Sequence, residues 1–330
     1  MNLSHMLAAA VLGSFFVFQA PAALAAKTLK VAFLAPPGSK WDQTFKRISD
    51  EVSEKTSGEI RIRFIGGGVM GDEPDVVRKM RRGQLQGAAL TGMGLGLIEP
   101  QVRVLELPML YDSDADVDRV TAKVEDQLGA RLGEKDHVLL GWAEVGPVYV
   151  FTNKPIRRLA DFKGTRMWMW ENDRLAEAIF KELGLQPTPL AITSVLTSLQ
   201  TGMVDGVYNS PQGLVALQWN SKVRYALDFR LTQSVGALVV TRKAWDGLSP
   251  EQQRVLREAS RRHCETLVRE GREDNRKALE ALKRQGVQLT SLPAEDRKRV
   301  RQAADRVADE LVGSLYPADL LRQVRQSAGR

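Results

Sequence analysis

The chain has 330 residues, with 47 Lys+Arg against 40 Asp+Glu, a formal net charge of +7. Charged residues at 26% and hydrophobic ones at 43% describe an ordinary globular chain, too apolar for disorder and long enough for two domains with real cores. One cysteine, Cys264, excludes a disulfide framework or a cysteine-rich zinc module. None of His5, His137 and His263 stands at ligand spacing from another, so no metal or cofactor is expected.

Residues 6–18 (MLAAAVLGSFFVF) form an unbroken run of apolar and small residues. The run is too short to cross a bilayer, which needs about 20 residues, but it suits the apolar region of a secretory signal. Small residues at Ala23 and Ala25 place the expected cleavage after Ala25, so 1–25 is assigned as a signal peptide and the mature protein as exported. No later segment is long and apolar enough to span a membrane.

Residues 27–36 are a β-rich run ended by Pro36-Pro37-Gly38. Apolar residues at 41, 45, 48 and 52 predict a helix over 41–56, and 60–65 alternates as a strand before Gly66-Gly67-Gly68. Asp72 is a candidate N-cap for a helix through Arg82, with Asp75 at the capping-box position, and 85–90 is the next strand. This succession predicts an α/β domain with mostly parallel strands. Further strands are predicted at 138–142, 148–152, 166–170 and 235–241, with helices at 173–183 and 195–201. Ser249-Pro250-Glu251-Gln252 opens a long charged helix as a capping box. A short strand at 287–289 and an amphipathic helix apolar at 300, 304, 307, 311 and 315 close the chain. No linker separates two halves, which points to shared crossing strands and a cleft.

Several blocks carry a resemblance. They are GGGVMGDEPDVVRKMRRGQLQGAAL (66–90), VLELPML (104–110), FTNKPIRRLADFKGTRMW (151–168), LGLQPTPLAITSVLTSLQTGMVDGVYNSP (183–211) and TRKAWDGLSPEQQ (241–253). In these blocks, residues 27 to about 250 resemble the solute-binding proteins of TRAP (tripartite ATP-independent periplasmic) transporters. The resemblance implies a two-domain α/β clam of the periplasmic-binding-protein kind, with crossing strands and a long domain-spanning helix. Domain I would comprise about 27–146 plus 235–274, and domain II 147–234 plus 275–330. It further implies a periplasmic receptor that closes on a small molecule by a hinge and delivers it to TRAP membrane permease subunits. A minority branch that looks similar here is served by a tetratricopeptide-repeat accessory protein, which makes such a protein a candidate partner.

The sequence departs from the family at its ligand clamp. Most relatives carry a lysine and then an arginine after the glycine of the DFKG-like turn, and that arginine grips the ligand carboxylate through two parallel hydrogen bonds. Here Arg166 falls on the lysine position and Trp168 on the arginine position. A second arginine of many sugar-acid binders is replaced by Tyr149. An indole offers one N–H donor and a large apolar face, and a buried carboxylate without a partner costs several kcal/mol.

Strand periodicity puts Arg166, Trp168 and Trp170 on one face and Met167 and Met169 on the other. A cleft of Trp168, Trp170, Tyr149 and Tyr208 suits a hydrophobic or aromatic cargo. The alternative is a conventional organic acid held by Arg166, although a structural salt bridge is the default for that residue. Trp168 and Trp170 have interdomain core as their plainer reading. Asn209 matches a family position whose amide contacts ligand, with an Asx-type turn as the competing explanation. Gly92-Met93-Gly94 ends a strand toward the cleft, offering backbone N–H groups to ligand or permitting close packing, and Met93 reads chiefly as packing.

A periplasmic enzyme is the distant alternative. Gly92, Gly94 and Gly96 lack the third glycine of G-x-G-x-x-G, and Gly66–Gly71 is followed by Asp72-Glu73 where a P-loop requires Lys-Ser/Thr. No G-x-S-x-G occurs and no catalytic residue is assigned. The basic spots at 78–82 and 261–262 are interleaved with Asp and Glu and lack aromatic residues, so no nucleic acid partner is expected.

Overall fold

The computed structural model describes residues 26–330, and the expected signal segment 1–25 lies outside them. The first lobe opens with β1 (Lys27–Ala32), α1 (Lys40–Lys55), β2 (Ile60–Ile65), α2 (Glu73–Arg81) and β3 (Gly87–Thr91). It continues through α3 (Gly92–Gly96), a 3-10 stretch Pro100–Glu106, and α4 (Asp114–Glu134) into β4 (His137–Thr152). The second lobe holds β5 (Trp168–Trp170), α5 (Arg174–Glu182), β6 (Thr188–Leu190), α6 (Val195–Gln200), β7 (Gly206–Asn209), α7 (Pro211–Ala216) and β8 (Tyr225–Leu227). Then come β9 (Thr232–Thr241), α8 (Arg242–Asp246), α9 (Pro250–Arg284), β10 (Gln288–Thr290), α10 (Ala294–Glu310) and α11 (Ala318–Ser327).

One sheet runs through both lobes in the order β10-β8-β4-β9-β3-β1-β2, with β7 also on β4, while β5 and β6 form a separate pair. The ladder is mixed rather than mostly parallel. β1 pairs parallel with β2 and β3, but β9 runs antiparallel to β3 and β4, as do β7 and β8 to β4. The predicted strands 138–142 and 148–152 are one strand. Its residues 137–148 pair with β9, and from Tyr149 on it pairs with β7 and β8. Register shifts at Leu139/Gly141 and Glu144/Gly146 bend it between the lobes. Gly146 has φ +122°, and a Cβ there would lie 2.3 Å from Asn275 Nδ2, so only glycine fits this crossing point.

Helix α9 ties the lobes together. Ser249 and Gln252 cap it reciprocally, as the sequence signals. Val255, Leu256, Ala259 and Cys264 pack with α1 and β1 in the first lobe, whereas Leu282 packs with Trp168 and Trp219 in the second. At 1.5 Å per residue it is roughly 50 Å long. Strand β5 divides the second lobe's interior. Trp168 and Trp170 join one apolar cluster and Met167 and Met169 the other, as alternation requires. The C-terminal segment belongs to both lobes: α10 packs against α5, but Leu320, Leu321 and Val324 of α11 join the core of Val117, Val120 and Val124 on α4. Among the described residues no helix is long and apolar enough to cross a membrane.

Candidate ligand-binding site

A cavity of about 370 Å³ lies between the lobes, within the size range of small-molecule sites. The first lobe supplies Phe33, Trp41 and Met93, and the second supplies Trp168, Trp170, Ile192, Tyr208 and Asn209. Trp168 is 1% exposed. Its ring stacks on Tyr208 at 4.9 Å between centroids and meets Trp219 edge-on at 5.3 Å, and its Nε1 donates to the Leu190 carbonyl at 3.0 Å. Trp170 Nε1 donates across the lobe boundary to Asp72 Oδ2 at 2.9 Å. The Tyr208 hydroxyl accepts from the Trp170 backbone N–H at 3.1 Å. Burial, with Asp173 nearby, holds that phenol far above its usual pKa, so it stays protonated.

Asn209 both lines the cavity and forms a local turn, its Oδ1 accepting from the Ser210 N–H at 2.8 Å. Met93 reaches the wall from α3. The other three candidates stand elsewhere. Arg166 is engaged by Asp205, with Nε and Nη2 donating at 2.8 and 2.9 Å; its side chain is 55% exposed and borders no part of the cavity. The Arg166 guanidinium in turn holds Asp205 down at about 2. Tyr149 lies in a separate polar hollow with Asp114, Arg230 and Arg272. Gly92 sits behind the wall, where a Cβ would lie 2.2 Å from the Glu106 carboxyl carbon.

The buried charges of the wall did not figure among the sequence candidates. Arg103 Nη2 donates to both Asp173 oxygens, at 2.8 and 2.9 Å, and Nη1 donates to Glu106. Burial opposes the Arg103 charge, but Asp173 and Glu106 outweigh it and hold the guanidinium above its ordinary pKa. Burial pushes Glu106 up, although its Oε1 accepts from the Val235 N–H at 3.0 Å. Glu73 accepts from Thr91 N, Thr91 Oγ1 and Gly94 N at 2.7–2.8 Å, yet burial still lifts its pKa to about 7.

A Cβ at Gly94 would lie 2.4 Å from Glu73 Oε2. The glycines at 92 and 94 are therefore explained by two carboxyl groups seated directly over them, and the Gly94 N–H is already taken by Glu73. The available signal was an Arg and a Glu inside the otherwise apolar run 102–110 (VRVLELPML). A charged residue is almost never fully buried without a partner, so two in one apolar run announce a buried pair.

Residues 31–314 match the model of the bacterial extracellular solute-binding protein family 7, the DctP family. The chain belongs to that family. This solute-binding protein of the TRAP type is 27% identical over 288 residues to a solute-binding protein of Chromohalobacter salexigens, covering 86% of this chain and 81% of that one. It is 27% identical over 310 residues to the 2,3-diketo-L-gulonate-binding periplasmic protein YiaO of Escherichia coli, covering 91% and 92%. Among solved structures, a TRAP periplasmic solute-binding protein of Ralstonia eutropha with bound (S)-2-acetolactate superposes with a TM-score of 0.85 at 21% identity, covering 92% of this chain and 98% of that one. This likeness shows the two-domain periplasmic-binding-protein fold. The family consists of solute-binding receptors of the periplasm, not enzymes.

Proposed function

We propose that this receptor carries a small hydrophobic or aromatic solute in its interlobe cavity and hands it to the membrane subunits of a TRAP transporter. One observation carries the reading: both cations of the cavity wall are already neutralised. Arg103 is held by Asp173 and Glu106, and Lys40 by Glu270 and Asp274. Three carboxyl groups, Glu73, Glu106 and Asp173, line the cavity against those two cations. An incoming carboxylate therefore meets no unpaired positive charge, while the wall is otherwise largely apolar, with the half-buried Trp41 and Tyr208 at its surface and Trp168 packed behind Tyr208.

The second reading is an organic acid, favoured by what the relatives carry: 2,3-diketo-L-gulonate for the E. coli protein and acetolactate for the R. eutropha one. It requires Arg166 to leave Asp205, or Arg103 to leave Asp173. Export after cleavage at Ala25, hinge closure, and the lobe boundaries 27–146 plus 235–274 and 147–234 plus 275–330 complete the proposal, with α11 returning to the first lobe. A tetratricopeptide-repeat partner has no feature of this chain to rest on, and the proposal stands without it.

Native mass spectrometry of the exported protein, purified without refolding, tests the cargo. Release of an apolar or aromatic molecule on denaturation supports the reading, and a sugar acid or dicarboxylate in its place overturns it.

A further inference from the structure

The cavity does not stop at the interlobe boundary. Beyond Trp168 and Trp170 the same cavity is lined by Leu159, Phe162, Phe180, Leu227, Leu292 and Val300, which belong to or pack against the second lobe's inner apolar cluster. Met167, just ahead of β5, and Trp168, its first residue, belong to the two different apolar clusters that flank the strand, and both border the cavity. It therefore passes round that short strand, from the cleft into the space between β5, α5 and α10.

Protein interiors are close-packed, with few voids larger than a water molecule, and an apolar void left in a core is destabilising. A dry hydrocarbon-lined space of this kind is suited to an apolar guest. Polarity is graded along its length. Arg103, Glu106, Asp173, Thr91, Asn209 and Ser210 border the interlobe end, whereas the inner end is walled by the carbon side chains named above.

We infer that the ligand is elongated: a hydrocarbon chain, acyl or isoprenoid in kind, whose tail threads past β5 into the second lobe while its polar head stays at the interlobe end. This deepens and rests on the reading of an apolar cargo. A compact aromatic solute would fill the cleft alone and leave the inner branch empty. The paired state of Arg103 leaves the head no free countercharge, so a neutral head, an alcohol or an amide, is preferred over a carboxylate.

Titration of the whole exported protein, stripped of bound molecules, with two homologous series separates the possibilities. The probes are straight-chain alcohols from octanol to hexadecanol and the matching fatty acids, read by quenching of Trp168 and Trp170 fluorescence. The expected result is affinity rising by as much as about fourfold per added methylene, with alcohols binding tighter than acids of equal length. In Ala176→Phe, which places a ring in the inner branch beside Phe180, affinity should stop rising with length. The wild-type series needs no substitution and stands alone if that variant misfolds.

A flat length dependence, with indole or another compact aromatic binding as tightly as hexadecanol, overturns the elongated ligand and leaves the apolar cargo standing. Binding of galactonate or succinate with no response to either series overturns both.

Discussion

Asp72 and Trp170 meet across the boundary between the lobes, the indole N–H of one donating to the carboxylate of the other at 2.9 Å. The same oxygen accepts from the Ile192 backbone N–H at 2.9 Å, and its partner oxygen from Glu73 N at 2.7 Å. Asp72 is at once the N-cap of α2 in the first lobe and the anchor of two donors from the second. The two lobes are thus tied together by a carboxylate that the sequence marks only as a helix cap.

Asp72→Ala leaves those donors unpaired. Hydrogen bonds to a charged group contribute about 1.5–3 kcal/mol each, so with both lost ligand affinity should fall by about a hundredfold or more as the open form gains population. Small-angle scattering of the unliganded and liganded variant, beside a ligand titration, checks this. An unchanged affinity with an unchanged radius would remove that role.

The Arg103–Asp173 pair joins the lobes a second time. Removing one partner of a buried pair costs about 3–5 kcal/mol, and Arg103→Met should lower stability to urea by that order. Asp173→Asn is gentler, because its side-chain oxygen can still cap α5 at Leu175 and Ala176 while no longer neutralising the guanidinium. That variant should gain measurable affinity for an organic acid such as galactonate by calorimetry. No gain would mean that Glu106 alone suffices to silence Arg103.

Stability should respond to pH in a particular direction. Glu73 has its carboxyl raised from 4.5 to about 7, so between those values the native state keeps a proton that the unfolded chain has released. Stability from this group is therefore fully present below 4.5 and lost as pH rises through 7. Glu51, held down to about 2 by Arg262, and Asp205, held there by Arg166, act oppositely. Their contributions are present above about 4.5 and 3.8 and disappear as pH falls toward 2. Urea denaturation across this range should show a maximum on the acid side of neutrality, and Glu73→Gln should flatten the alkaline limb without altering the acid one.

Trp168 and Arg166 are two residues apart and call for contrasting substitutions. Arg166→Ala removes the exposed partner of the buried Asp205 and touches no part of the cavity, so it should leave ligand affinity unchanged; loss of binding would favour the organic-acid reading. Trp168→Arg inserts a guanidinium between Tyr208 and Trp219, where nothing compensates its desolvation. It should abolish binding of the native cargo and lower the melting temperature sharply, while Trp168→Phe, which preserves the stack on Tyr208, should do so mildly. Thermal melts with and without ligand compare the two.

Local signals were read well where they act locally. The stripe of α1, the Ser249 capping box and the alternation at 168–170 all correspond to observed elements, whereas Arg166 falls outside the strand and off the face of the two indoles. Strand β4 read as two because Gly146-Pro147 is ordinary turn punctuation; only the pairing of Val148 with Thr232 and Pro147 with Gln233 keeps that stretch extended. Helix α11 went unread, since it is short and owes its burial to α4, nearly two hundred residues earlier in the chain. The apolar faces of the cavity wall were visible as aromatic residues at strand spacing. Its salt links were not, because Arg103 and Asp173 lie 70 positions apart and no local rule joins them.

The position of β9 sets an order of assembly. It lies between β3 and β4 in the first lobe's sheet, yet it is encoded after strands β5 to β8 of the second lobe. The amino-terminal half cannot close its hydrogen-bond ladder until Thr241 has emerged, so neither half is a self-sufficient folding unit. Cutting the gene at a lobe boundary should yield two fragments that become structured only when combined.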